Sequence, residues 1–122
     1  MILADTSVWI DHFRSGHQQL RQNLEHGRIV THPFVVGELA LGLLKDRSKT
    51  LALLDLLPHV PVARPEEVRA MIEARRLYGR GIGLTDAHLI ASVFLSPSTL
   101  LWTRDKQLRS VAQNLGIQAG LV

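Results

Sequence analysis

Met1-Ile2-Leu3-Ala4-Asp5-Thr6-Ser7-Val8-Trp9-Ile10-Asp11 decides how the rest of the chain is read. Ile2 to Ala4 is a short apolar strand, and a helix follows from Ser7 to Arg14 with Val8, Trp9, Ile10 and Phe13 on overlapping apolar faces. An acid stands between them, at the strand's carboxyl end, where ligand sites open in parallel sheets. In isolation Asp5 reads equally well as the N-cap of that helix. The apolar run has no basic segment before it and is broken at once by Asp5, so no signal peptide is expected.

Outward from this segment, helix and strand signals alternate. Gln18 to His26 is helical and stops at Gly27; Ile29 to Thr31 is a second strand; Pro33 opens a helix reaching about Lys45. Ser48 caps a helix through Leu57, Val60 to Ala63 forms a third strand, and Pro65 opens a helix to about Tyr78. Gly79, Gly81 and Gly83 make a loop, after which Thr85 caps the helix Asp86 to Leu95. Thr99 to Thr103 is a fourth strand, Lys106 to Leu115 a last helix, and Gly116 to Ala119 an edge strand. Such alternation predicts right-handed crossovers and a mainly parallel sheet covered on both faces, an α/β/α sandwich.

The 122 residues suit one domain, 1–122, and 46% hydrophobic with 20% charged residues suit a folded one. No apolar stretch approaches the ~20 residues that span a bilayer, so no membrane partner is expected. Without cysteine, any metal must be held by oxygen or imidazole, and a reducing cytoplasm is suited. The net charge of +3 is compatible with a polyanion, and eleven arginines against three lysines favour bidentate phosphate contacts.

Seven of the eleven acids, Asp11, Glu25, Asp46, Asp55, Glu66, Glu67 and Glu73, lie in polar or mixed stretches where a solvated carboxylate needs no special reason. Four do not. Asp5 ends the first strand; Glu38 is the only charge between His32 and Lys45, in a helix apolar enough to be largely buried. Asp86 opens a helix after the glycine loop, where it also complements the helix dipole, and Asp105 follows the fourth strand, where it also begins the last helix. In a parallel sheet these positions can meet at one edge. Four such carboxylates repel unless a divalent cation joins them, and His12, His17, His26, His32, His59 and His88 show no paired ligand spacing, which favours Mg2+ or Mn2+ over zinc.

Asp5-Thr6-Ser7-Val8-Trp9-Ile10-Asp11, Gly37-Glu38-Leu39, Leu84-Thr85-Asp86-Ala87-His88-Leu89-Ile90-Ala91 and Trp102-Thr103-Arg104-Asp105-Lys106-Gln107-Leu108 resemble, in order, spacing and context, the PIN-domain toxins of the VapC type across essentially the whole chain. The resemblance implies the PIN three-layer α/β/α fold. It implies a magnesium-dependent endoribonuclease toxin of a type II toxin-antitoxin pair, usually dimeric, cutting RNA and held inactive by a cognate VapB-type antitoxin. By it, Asp5, Glu38, Asp86 and Asp105 carry over as the metal-binding, catalytic quartet. Thr6, Ser7 and Thr103 carry over as hydroxyls that steady a carboxylate or a bound water.

Arg80 in the glycine loop is read either as a phosphate contact or as a solvated turn residue; Arg104 either neutralises the acids or binds substrate, provided its side chain turns toward them. Trp9 and Trp102 read as core rather than base-stacking residues, and His88 as structural. A haloacid-dehalogenase-like phosphatase would place a second acid at position 7, where Ser7 stands. A receiver domain needs adjacent acids after the first strand, where Thr6 stands. A PIN-like module that binds RNA or protein without catalysis is the remaining alternative.

Overall fold

The computed structural model describes residues 1–122. Three parallel strands, β1 (Ile2–Ala4), β2 (Ile29–Val30) and β3 (Leu100–Trp102), lie in the order β2-β1-β3. Leu3 pairs with Val30 on one side and Leu101 on the other, and Ala4 pairs with Trp102. Successive strand residues face opposite sides of a sheet, yet Leu3 and Ala4 are both fully buried, so helices cover both faces. This is the expected α/β sandwich.

Seven helices supply the cover: α1 (Thr6–Ser15), α2 (Gln18–Glu25), α3 (Pro33–Ala40), α4 (Arg47–Asp55), α5 (Pro65–Ala74), α6 (Leu84–Phe94) and α7 (Lys106–Asn114). Helix α1 packs on α3, α3 on α4, and α5 on α6. α6 buries every residue from Ala87 to Val93, as a predominantly apolar helix must. Trp102 is fully buried in the main core with Leu3, Leu89, Ile90 and Leu108, and truncating it to Ala costs about 3–5 kcal/mol.

Several sequence expectations are corrected. The helix from Pro33 ends at Ala40, not near Lys45; the Arg47 guanidinium donates to the carbonyls of Ala40 and Gly42 and so closes that end. Nor is α3 largely buried: Phe34 and Glu38 face outward, and Leu41 and Leu43 beyond its end are 90% and 105% exposed. Ser48 lies inside α4, whose N-cap is Asp46 at φ 46°. Val60–Ala63 forms no strand. Thr31 makes a single bridge to His59, and Pro61 has no N–H with which to extend it. Similarly Gly116–Ala119 contributes only a bridge from Gln118 to Leu101, and α5 stops at Ala74 rather than Tyr78. Gly83, not Thr85, is the N-cap of α6.

These elements place the carboxyl ends of β1 and β3 side by side, with the Asp5 N–H donating to the Trp102 carbonyl at 3.0 Å. Asp5 and Thr103 are therefore neighbours at one sheet edge.

Candidate active site

Asp5 is both a helix cap and the centre of a hydroxyl cradle, so the two alternatives open from sequence are compatible. Its Oδ1 accepts the Val8 N–H at 3.3 Å, as an N-cap does, and also the Ser7 hydroxyl at 2.5 Å. Its Oδ2 accepts the Thr103 hydroxyl at 2.5 Å. Each hydroxyl is itself oriented by a backbone donor: Arg104 N–H to Ser7 Oγ at 2.9 Å, and Asp105 N–H to Thr103 Oγ1 at 3.0 Å. Asp5 as a whole is only 5% exposed. Burial pushes its pKa above the usual carboxylate value, and the Ser7 and Thr103 hydroxyls pull part of the way back.

Asp86 stands in the first turn of α6, with its Oδ2 accepting the Gly83 N–H at 3.2 Å. Its pKa is raised, first by burial and then by the negative charges of Asp5, Asp105 and Glu38, against the lowering by the Gly83 N–H. All four acids singled out from the sequence thus share one electrostatic neighbourhood. Glu38 is on the exposed face of α3, and its Oε1 accepts the Thr6 hydroxyl at 2.5 Å. Asp105 is the N-cap of α7, accepting the Leu108 N–H at 2.9 Å.

None of the four is in an ion pair; the chain's pairs run to Asp11, Glu66 and Glu67. Neither do three His, Asp or Glu side chains converge tightly enough to cage a metal between them. The donor set nevertheless fits magnesium, which takes one or two carboxylates and completes its shell with water and substrate phosphate rather than with an all-protein cage. A carboxylate has about four lone-pair sites, so Asp5 keeps acceptor capacity beyond its three hydrogen bonds.

The two arginines differ. Arg80 is half-buried and makes no ion pair, and its loop lies on α7: Gly81 has φ 78°, and a Cβ there would stand 3.0 Å from Gln107 Cγ. Arg80 is thereby close to the helix that Asp105 caps. Arg104, by contrast, sends its guanidinium away to Asp11 at 3.4 Å, so the turn toward the acids considered from sequence is not made. Trp9 and Trp102 are buried, as expected, and His88 packs on Phe34 with ring centres 4.7 Å apart. Sequence reading missed a groove of about 380 Å³ beside Glu38, lined by Ile10, Phe13, Arg14, Leu39 and Leu43 among others. The signal for it is the apolar surplus from Val35 to Leu44, which as a sequence suits an open interface as well as a buried helix.

A parallel sheet with these acids at its carboxyl edge defines the class: the chain belongs to the PIN-domain family, whose sequence profile matches residues 2–114. It is 44% identical over 117 residues to a protein named Ribonuclease VapC32 in Mycobacterium tuberculosis, in strains CDC 1551 / Oshkosh and ATCC 25618 / H37Rv. The match covers 96% of this chain and 94% of the relative. The resemblance to VapC-type PIN proteins is thus borne out. The crystal structure of PAE2754 from Pyrobaculum aerophilum shares the fold, with a TM-score of 0.63 at 17% identity over 99% of this chain and 87% of that one.

Proposed function

We propose that residues 1–122 act as one PIN domain, a metal-dependent endoribonuclease and the toxin of a type II toxin-antitoxin pair. The observation that carries this reading is Asp86: a half-buried carboxyl whose pKa is raised first by burial and then by the charges of Asp5, Asp105 and Glu38, in a cluster with no cationic partner. Structural acids are normally neutralised, whereas acids held to work on a cation and a phosphate are not. The ribonuclease name of the 44% identical relatives supports the same chemistry.

Asp5 and Asp86 are the residues that would hold Mg2+, or Mn2+ in its place, with Glu38 and Asp105 completing the site. When bound, the cation lowers the pKa of water and neutralises charge on the phosphoryl group. Ser7 and Thr103 fix the direction of both Asp5 oxygens, and Thr6 does the same for Glu38. Arg80 adds a phosphate contact at the rim.

In this reading the protein works in the cytoplasm, and no helix is long and apolar enough to cross a membrane. A homodimer uses the uncovered leucines, among which Leu41, Leu43 and Leu56 are at least 80% exposed. A VapB-type antitoxin silences the site by placing an arginine among the acids, anchored by apolar side chains in the groove beside Glu38.

The test is one titration with one cleavage assay. The wild-type chain should bind Mn2+ by calorimetry and cleave a structured RNA until EDTA is added, and Asp5→Ala should do neither. Cleavage by Asp5→Ala at the wild-type rate would remove the catalytic assignment. Metal-independent RNA binding without cleavage by the wild type would establish a non-catalytic binding module instead.

A further inference from the structure

Asp11 and Arg104 have no part in the acid site as described, and yet they meet. Asp11 is on α1; Arg104 is in the loop between β3 and α7. Arg104 Nη1 lies 3.4 Å from Asp11 Oδ2 and 3.2 Å from His17 Nε2. His17 is buried, caps α2 at its N-terminus, and sets its ring edge-on to Trp102 at 5.1 Å. One guanidinium therefore ties the loop after β3 to α1 and to the start of α2.

That same loop aims Asp5. The backbone N–H groups of Arg104 and Asp105 are the donors that hold the Ser7 and Thr103 hydroxyls, and those hydroxyls turn their protons onto the two Asp5 oxygens. The backbone contacts are 2.9 and 3.0 Å long, the usual length of an N–H···O bond. A loop displacement that lengthens both would loosen both hydroxyls together.

We propose that Asp11 and Arg104 are a positioning pair, whose contact pins Thr103-Arg104-Asp105 onto α1 so that both hydroxyls stay turned on Asp5. The proposal rests on the reading of Asp5 as a metal-holding carboxylate. It gives Asp11 a role that its polar surroundings conceal, and it keeps Arg104 out of direct contact with RNA. Both contacts are made by one nitrogen, Nη1, so a lysine at position 104 supplies the charge and a donor, but on a flexible stem without the planar guanidinium that holds that nitrogen in place.

Arg104 and Asp11 side chains are 45% and 35% exposed, and pairs of this kind transmit little energy. The expected effect is accordingly a two- to fivefold loss of Mn2+ affinity, roughly the range for an exposed pair. The experiment uses the full chain with Asp11→Asn, Arg104→Ala, Arg104→Lys and the reversed pair Asp11→Arg/Arg104→Asp. Mn2+ affinity is read by calorimetry, and amide exchange is followed at positions 104 and 105.

Asp11→Asn and Arg104→Ala should each weaken Mn2+ binding and speed exchange at both amides. Arg104→Lys should fall between them and wild type, and the reversed pair should recover both readouts. Wild-type affinity and exchange in the single variants would overturn the proposal. So would a pattern in which Arg104→Ala loses RNA affinity and Asp11→Asn gains it with exchange unchanged, because Arg104 would then be a phosphate contact. If Arg104→Ala fails to fold, Arg104→Lys and the reversed pair decide alone. Asp5→Ala keeps the two readings apart: wild-type Mn2+ binding in that variant removes the metal assignment, while amide exchange still reports whether the pair pins the loop.

Discussion

Thr103→Val is the most informative single change at the acid site. Thr103 is fully buried; its hydroxyl donates to Asp5 Oδ2 at 2.5 Å and accepts the Asp105 N–H at 3.0 Å. Valine fills nearly the same volume and offers neither contact, so the loss is chemical rather than steric. A hydrogen bond to a charged group is worth about 1.5–3 kcal/mol, most of which the metal-free fold already loses where Asp5 is ionised, so Mn2+ affinity should fall by only part of it, at most about tenfold, if Asp5 holds the metal as an ionised carboxylate. Without metal, the same change should destabilise the fold at neutral pH, by about 4 °C in Tm per kcal/mol lost.

The pH dependence carries a sign. Burial raises the folded pKa of Asp5 above its ordinary value of 3.8, so this group's contribution to stability is complete below 3.8 and is lost as pH rises through the folded value. Removing the Thr103 donor raises the folded value further, and it penalises the ionised form more than the protonated one. The Tm gap between wild type and Thr103→Val, in EDTA, should therefore widen from acid toward neutral pH. Thermal melts followed by circular dichroism across that range check this. A gap that is constant with pH, together with unchanged Mn2+ affinity, would refute the reasoning.

Two further outcomes are expected. Asp86→Asn removes a charge that Asp5, Asp105 and Glu38 oppose, so it should raise the Tm of the metal-free protein, with a gain on the order of 1 kcal/mol, while abolishing RNA cleavage; a lowered Tm at full activity would contradict the site. Leu43→Lys with Leu56→Lys places charge on a leucine surface that is 105% and 80% exposed in the single chain, and should turn a dimer into a monomer by light scattering at tens of micromolar without a loss of Tm. A wild type that is already monomeric at that concentration would remove the dimer proposal.

The sequence was most legible where local chemistry and global topology agree. Asp5 and Asp105 could be placed at strand ends because Ile2-Leu3-Ala4 and Leu100-Leu101-Trp102 are apolar runs stopped by an acid or a hydroxyl, and the structure keeps both as strands. The burial expected of Glu38 is not found: its helix is apolar, but apolarity cannot distinguish a core face from a face left open, and Glu38 is exposed. The strand expected at Val60–Ala63 failed at Pro61, although Ala63 is still buried in a smaller cluster with Val68, Ala87 and Ala91. The direction of the Arg104 side chain was not legible at all, since it depends on an acid 93 residues earlier on another element.

The Asp5 cradle also bears on how the protein is made. Ser7 belongs to the first helix and Thr103 follows the last strand, 98 positions along the chain from the carboxylate it holds. Chains emerge from the ribosome N-terminus first, at about 5–20 residues per second. A nascent chain that has reached α6 already carries Asp5, Glu38 and Asp86, but β1 still lacks β3 beside it and Asp5 lacks one of its two hydroxyls. The Asp5 cradle therefore cannot assemble until synthesis is nearly finished.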